Sequence, residues 1–101
     1  MLDGEGRPTN SERLPYAATL RHAATGRRLD VFTSEPGLQF YSGNFLDGTL
    51  QGPRGPYVRR AGLCLETQKF PDTPNHDTFP TAVIRPGKPY SARTTFAFTH
   101  E

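Results

Sequence analysis

The side chain with the clearest capacity for chemistry is the carboxylate of Glu66, within the sequence LCLETQKFPDTPN at residues 63–75. If the first part of this segment is extended, successive side chains point to opposite faces, so Leu63 and Leu65 share one face. Cys64 and Glu66 then share the other face. Two leucines against a core would leave Glu66 pointing outward, where a fixed carboxylate can accept a proton from a ligand. The alternative is an ordinary solvated glutamate on an exposed sheet face, which is common in proteins.

The three histidines do not form a metal-binding pattern. His22 ends a predicted strand beside a turn, and His100 is the penultimate residue, where we expect a frayed end. His76 follows Glu66 by ten residues in a proline-rich loop, so it can approach the same site, although loop histidines are usually solvated. Because no two histidines have ligand spacing and no cluster of cysteine and histidine exists, we expect no metal.

A second carboxylate near Glu66 would indicate the acid pair of a glycoside hydrolase. The candidate partners are Glu35, Asp47 and Asp72. The first two fall in predicted turns, where a structural role is the more common one. Ser42 and Ser91 lack the sequence context of a nucleophile elbow. The glycine-containing segments lack the strand and helix that flank a phosphate-binding loop.

Composition indicates a single domain rich in short strands. The chain has 101 residues, of which 34% are hydrophobic, and its 10 prolines and 10 glycines are spread singly along it. The 7 Phe and 4 Tyr are residues that favour strands and can also line a ligand groove. This distribution is typical of strands joined by turns.

Charge and cysteine content exclude several classes of protein. The net charge is only +2, and the paired arginines are far apart, so no basic stripe indicates a nucleic-acid partner. One cysteine excludes an internal disulfide and suits a reducing compartment. No segment is apolar for long enough to span a bilayer as a helix, and the polar opening is not a signal peptide. These features predict a cytoplasmic protein with no membrane partner.

Turn residues divide the chain into short extended runs, without helical periodicity in any window. A hairpin is predicted from two runs around Gly26, and a type II turn at residues 35–37. The predicted order is a polar segment at 1–14, strands at 16–22, 28–33 and 38–41, a loop at 42–56, a strand at 62–67, a proline loop at 70–80, a strand at 82–84, a Pro-Gly turn at 85–89 and a strand at 91–99. The pattern favours an all-β, antiparallel β-sandwich or barrel.

Two long motifs resemble the galactose mutarotase (aldose 1-epimerase) family. They are EPGLQFYSGNFLDG at residues 35–48 and LCLETQKFPDTPN at residues 63–75. The segments at 31–37 and 85–90 support the same resemblance in the same order. Together these segments extend over most of the chain and resemble the C-terminal third of the family.

The resemblance implies the fold, the reaction and the roles of two residues. It implies part of a large β-sandwich (the galactose mutarotase-like supersandwich) that interconverts the α and β anomers of free aldoses such as galactose and glucose. Glu66 matches the catalytic base that takes the proton of the C1 hydroxyl, and Gln39 matches a glutamine that contacts the sugar. The family uses a histidine acid from an upstream region, and no histidine here occupies that position. No cofactor or metal is implied, and the full-length protein is expected to be a monomer.

Residues 1–101 are therefore expected to form a partial aldose 1-epimerase domain that carries the base and lacks the acid, with little activity alone. Two alternatives remain. One is a non-catalytic sugar-binding or interaction module that keeps Gln39, Glu66 and the nearby aromatic residues Phe40 and Phe70. The other is a truncated, inactive fragment with no independent fold.

Overall fold

The computed structural model describes residues 6–101, and its regular structure consists of short strands and one turn of 3-10 helix. The strands are β1 (Tyr16–His22), β2 (Arg27–Thr33), β3 (Gly37–Tyr41), β4 (Gln51–Gly52), β5 (Gly55–Pro56), β6 (Cys64–Gln68) and β7 (Thr94–His100), and the 3-10 turn is Thr73–Asn75. All strand pairs are antiparallel, so the predicted all-β class is confirmed. The first five residues of the predicted polar segment lie outside the described residues. The remainder, up to residue 14, is loop with one bridge between Thr9 and Pro15.

The largest sheet has the order β1-β2-β7, and its first two strands form the predicted hairpin. The hairpin turns at Gly26, whose φ of 69° is unfavourable for residues with a Cβ. A Cβ there would also lie 2.5 Å from the backbone oxygen of Glu101, which passes close to the turn. The pairing places apolar side chains in two rows on one face of the sheet: Leu20, Leu29 and Phe98, then Ala18, Val31 and Phe96.

A second sheet consists of β3 and β6, which pair from Gly37 with Gln68 to Tyr41 with Cys64. An isolated pair of strands is marginal in water and needs further packing to be stable. A chain of threonine hydroxyls connects this pair to the larger sheet by hydrogen bonds. Thr94 Oγ1 on β7 lies 2.9 Å from Thr33 Oγ1 on β2 and 2.7 Å from Thr67 Oγ1 on β6.

Thr33 makes further hydrogen bonds at this junction between the two sheets. Its side chain is buried, with 4% of its surface exposed. Besides its contact with Thr94, its hydroxyl donates to the carbonyl oxygen of Arg93 at 3.2 Å and accepts a bond from the Glu35 amide at 3.1 Å. The junction therefore also fixes the start of the segment that leads into β3.

The apolar residues of this chain are only partly buried. Among the described residues, Val31 is the one fully buried hydrophobic residue, while Phe98 is 77% exposed and Phe40 is 57% exposed. The radius of gyration is 17.0 Å, compared with about 13 Å for a compact domain of 100 residues. A groove of about 730 Å³ opens between the larger sheet and the segment that precedes β6. The described residues thus form ordered sheets around an open apolar face.

Five local predictions from the sequence are wrong. The run at 82–84 forms no strand, because it finds no ladder partner between Pro80 and the next turn, and its apolar side chains are largely exposed. The last strand starts at Thr94, later than predicted, and it pairs His100 with Arg27, so this end is not frayed. Gly37 is a paired residue of β3 and has no positive φ, which a type II turn at 35–37 would require.

The fifth wrong prediction is the loop at 42–56, which contains the small hairpin of β4 and β5. Tyr57 packs across Gly52, where any Cβ would overlap the phenol ring. Two predictions in the loops are confirmed. The Pro-Gly turn closes with a 3.1 Å bond from Lys88 N to Arg85 O, and the proline loop contains only the single 3-10 turn. No helix in residues 6–101 has the length and apolar character needed to cross a membrane.

Substituting Thr33 by valine tests the threonine junction. Valine has nearly the same shape but leaves the partners of the hydroxyl unsatisfied, so we expect a loss of about 1–2 kcal/mol in the free energy of unfolding. Urea denaturation followed by far-UV circular dichroism measures this change. The control is Thr99→Val on an exposed part of β7, which should change stability by less than about 0.5 kcal/mol. Equal losses in the two variants would show that the junction does not stabilise the fold.

Acid should weaken the larger sheet through Asp30. The Arg28 guanidinium, which donates to both carboxylate oxygens, together with the Thr19 hydroxyl, lowers the pKa of Asp30 below its ordinary value. Because the pKa is lower in the folded state, the ionised group stabilises the fold above the unfolded value of about 4 and loses this effect as the pH falls further. Urea midpoints between pH 6 and pH 2 should therefore fall less in Asp30→Asn than in the unsubstituted chain. Ser91→Ala, at an exposed position without an ionisable side chain, should keep the original pH profile.

Candidate functional site

Gln39 and Glu66, which the family resemblance assigned to one site, are direct cross-strand neighbours. They form the central pair of the β3–β6 ladder. Directly opposite residues of an antiparallel pair project to the same face, with Cβ atoms about 4.5–5.5 Å apart. Both side chains are exposed. The backbone ladder therefore sets an amide and a carboxylate side by side on one open face, which we call the Glu66 face.

Register determines which residues accompany this pair. Tyr41 and Cys64 form the next pair on the Glu66 face in one direction, and Gly37 and Gln68 the next pair in the other. The opposite face carries the apolar side chains of Leu38, Phe40 and Leu65, with Thr67. The predicted alternation around Glu66 is thus confirmed within β6.

Burial supports the same alternation only in part. Leu65 is half-buried and the residues on either side of it, Cys64 and Glu66, are exposed. Leu63 was predicted to share the core-facing side, but it lies before the first residue of β6 and is 42% exposed. Its side chain lines the open groove between the sheets, where the described residues provide little cover.

Neither polar group of the central pair is saturated by this chain. Gln39 Nε2 donates to the carbonyl oxygen of the adjacent Phe40 at 3.3 Å. The Glu66 carboxylate has no hydrogen-bond or ion-pair partner among residues 6–101. A carboxylate that is accessible and unpartnered can accept a proton or a hydrogen bond from a bound molecule.

The three histidines make contacts away from this pair. His22 Nδ1 lies 2.8 Å from Thr25 Oγ1 in the turn of the first hairpin. His76 Nε2 lies 3.1 Å from Asp72 Oδ2 within its own loop. His100 is the last residue of β7, in the other sheet. The structure therefore brings none of them into contact with Glu66.

The carboxylates considered as partners of Glu66 also have other neighbours. The Glu35 side chain is only 4% exposed, and its Oε2 atom lies 3.2 Å from Lys69 Nζ. This ion pair does not have hydrogen-bond geometry, so Oε2 has no hydrogen-bond partner. Asp47 accepts bonds from the hydroxyl and the backbone amide of Thr49, which lower its pKa. Asp72 is the partner of His76. Each of these carboxylates is thus engaged by a neighbour other than Glu66.

Within the described part of the chain, no three His, Cys, Asp or Glu side chains come together as metal ligands. Sequence reasoning placed Cys64 on the same face as Glu66 but left out Tyr41, which is paired with Cys64 on the Glu66 face. The signal that could have found Tyr41 is register: once Gln39 pairs with Glu66, every second residue on both strands must share their face.

Comparison with known proteins gives consistent matches over the same residues. The sequence profile of the family described as "Aldose 1-epimerase" matches residues 7–97 of this chain. Galactose mutarotase of Mus musculus is 52% identical over 90 residues, which cover 88% of this chain and 26% of that protein. Galactose mutarotase of Homo sapiens is 49% identical over 90 residues with the same coverage. Aldose 1-epimerase of Escherichia coli (strain K12) is 46% identical over 76 residues, covering 73% of this chain and 22% of that protein. The chain spans about a quarter of the length of the curated relatives it matches.

Thiol labelling tests which side chains lie on the Glu66 face. Cys64 is exposed, so a water-soluble disulfide reagent should label it completely without denaturant. In the matched variant, Cys64→Ser is combined with Leu65→Cys, which moves the thiol to the half-buried opposite face. We expect that thiol to react more slowly. Equal rates at the two positions would contradict the assigned alternation of β6.

Proposed function

Because the chain belongs to the aldose 1-epimerase family, we propose that it supplies the base side of a site that interconverts the α and β anomers of free hexoses such as galactose and glucose. The observation that carries this proposal is the unpartnered, exposed carboxylate of Glu66 directly opposite Gln39. Glu66 acts as the general base on the C1 hydroxyl, and Gln39 contacts the sugar. Residues 1–101 are proposed to be part of a larger aldose 1-epimerase domain.

The proposed reaction moves one proton to Glu66 and one to the ring oxygen. Glu66 takes the proton of the C1 hydroxyl while the bond between C1 and the ring oxygen breaks, so C1 becomes an aldehyde. The electrons of the broken bond remain on the ring oxygen, which takes a proton from a general acid. After rotation about the C1–C2 bond, the two proton transfers run in reverse and the ring closes as the other anomer.

Gln39 suits a binding role because its amide both donates and accepts hydrogen bonds. Its position opposite Glu66 is set by backbone pairing and not by a flexible loop. A sugar hydroxyl bound to Gln39 would hold the adjacent part of the ring close to the carboxylate. Positioning of this kind lowers the barrier by removing freedom before the reaction starts.

The general acid is expected from residues outside this chain. His22, His76 and His100 all have positions or contacts away from Glu66. General acid and general base catalysis each contribute roughly 10²–10⁴-fold, so a base alone accounts for only part of the rate. We therefore expect the 101-residue chain to have little mutarotase activity by itself.

The second candidate is a module that binds sugar without turning it over. It is favoured by the same separation of the histidines from Glu66, since the described residues present a binding face without an evident acid. Sugar binding by the chain, without any rise in the rate of mutarotation, would support it.

We place either function in the cytoplasm, in keeping with the single cysteine, and expect the full-length protein to be a monomer.

A hybrid enzyme tests the role of Glu66. In this hybrid, residues 7–97 replace the matched segment of galactose mutarotase from Mus musculus, and polarimetry follows freshly dissolved α-D-galactose. We expect the hybrid to be active and Glu66→Gln to lower its rate by roughly 10²–10⁴-fold, because glutamine cannot take the proton.

The matched control in the hybrid is Glu12→Gln. Glu12 is an exposed carboxylate 3.8 Å from Arg93 and outside the proposed site, so its substitution should leave the rate nearly unchanged. A Glu66→Gln hybrid as fast as the control would exclude Glu66 as the base. An inactive hybrid that still binds galactose would favour the second candidate.

A further inference from the structure

The loop after β6 returns an aromatic ring to the Glu66 face. β6 ends at Gln68, so Phe70 lies just beyond the strand and the position of its ring is given by its contacts with Gly37. Gly37 is paired with Gln68 and shares a face with Gln39. A Cβ built on Gly37 would lie 2.9 Å from Phe70 Cδ1 and 3.1 Å from Cε1. The Phe70 ring therefore occupies the space above Gly37, two pairs along the ladder from Gln39 and Glu66 and at the next position on the same face.

The Phe70 ring packs against Phe79, which in turn contacts a further group of the same loop. Its centroid lies 5.1 Å from that of Phe79, and the His76 ring stacks on Phe79 at 4.6 Å. His76 is in turn held by Asp72, with 3.1 Å between Nε2 and Oδ2. The loop thus forms a short stack that ends with Phe70 at the sheet.

Backbone contacts hold the base of this stack. The Thr73 side chain is buried, and its hydroxyl donates to the carbonyl oxygen of Phe70. Asp72 adopts a left-handed conformation with φ of 61°, which reverses the chain immediately before the 3-10 turn. These contacts fix the loop that carries Phe70 and leave the ring itself half-buried.

We propose that Phe70 is a positioning residue of the sugar site, whose ring contacts the apolar C–H face of the hexose bound at Gln39 and Glu66. This inference rests on the proposed function. A pyranose has hydroxyl groups around its rim and C–H groups on its faces, so it needs polar partners and an apolar surface at the same time. Ligand sites commonly combine a few convergent polar groups with aromatic walls. On this face the polar groups are Gln39 and Glu66, and the aromatic wall is Phe70.

Gly37 has a defined part in this arrangement. A side chain there would occupy the place of the ring, because the atoms closest to a methyl group at this position belong to Phe70. The phenyl ring is the movable partner and the one with the closest atom, whereas the Gln68 backbone oxygen, 3.2 Å from the same Cβ, has to shift by only a few tenths of an ångström. A methyl group should therefore displace the ring and leave the β3–β6 ladder paired. Gly37→Ala therefore changes the position of the wall while all the proposed sugar contacts remain in the sequence.

Nuclear magnetic resonance of the 101-residue chain titrated with D-galactose tests the inference. We expect saturable shifts of the Gln39 side-chain amide, of the Glu66 amide and of the Phe70 ring. Phe70→Leu keeps an apolar side chain but removes the aromatic face, and should raise the dissociation constant by roughly 3–10-fold. Phe70→Tyr keeps the ring and should restore the affinity to within about twofold of the original. If both variants keep the amide spectrum of the folded chain, a purely structural role of Phe70 would give them similar dissociation constants for galactose.

Two further variants keep the test decisive if Phe70→Leu fails to fold. Gly37→Ala should weaken galactose binding as Phe70→Leu does, whereas Gly62→Ala, where a Cβ would meet no atom within 4 Å, should not. Phe98→Leu, on an exposed part of the other sheet, is the control for loss of an aromatic ring.

The outcomes separate this inference from the proposed function. Galactose shifts at Gln39 and Glu66, with unchanged affinity in Phe70→Leu or in folded Gly37→Ala, would overturn the role of Phe70 and leave the proposed function intact. Absence of any shift at Gln39 and Glu66 in the unsubstituted chain would count against sugar binding by this chain and against the role of Phe70 together.

Discussion

The placement of the site depends on the two hydrogen bonds of the Thr94 hydroxyl, which join Thr33 in one sheet to Thr67 in the other. The β3–β6 sheet has only two strands, and such a pair is marginal without a surface to pack on. Thr67 is the immediate neighbour of Glu66 and points to the opposite face. The contact that attaches this sheet to the larger one therefore uses the back of the same strand whose front carries the carboxylate.

The two faces of the β3–β6 sheet have different roles, and this difference explains why the site is open and the core is incomplete. On the back, Leu38, Phe40 and Leu65 face away from the site, yet Phe40 remains 57% exposed. On the front, Glu66 has no partner among the described residues. Both observations have the same cause, since the described strands cover neither face of this sheet completely. The ladder itself still fixes the relative positions of the two proposed site residues.

Local patterns in the sequence predicted the first hairpin and the face of Glu66 correctly, because both depend on neighbouring residues. The pairing of Gln39 with Glu66 joins strands far apart in the chain, and alternation within each strand carries no information about its partner. Only the resemblance placed the two residues in one site. The strand predicted at 82–84 failed for the same reason, since its apolar residues have no neighbouring strand to pair with. The β4–β5 hairpin was missed because two paired residues on each side produce no detectable periodicity.

A strand is a suitable place for a proposed base in a fold whose core is so exposed. Side chains on loops keep their positions through packing, whereas Gln39 and Glu66 are placed by backbone hydrogen bonds on both sides of their pair. Those bonds do not depend on the volume of any apolar side chain. Phe70 reaches the same face by a different means, through a loop held by ring stacking and the buried Thr73. The backbone positions of the polar residues are thus set by the ladder, and the aromatic part is the one that sequence changes in the loop could alter without disturbing the base.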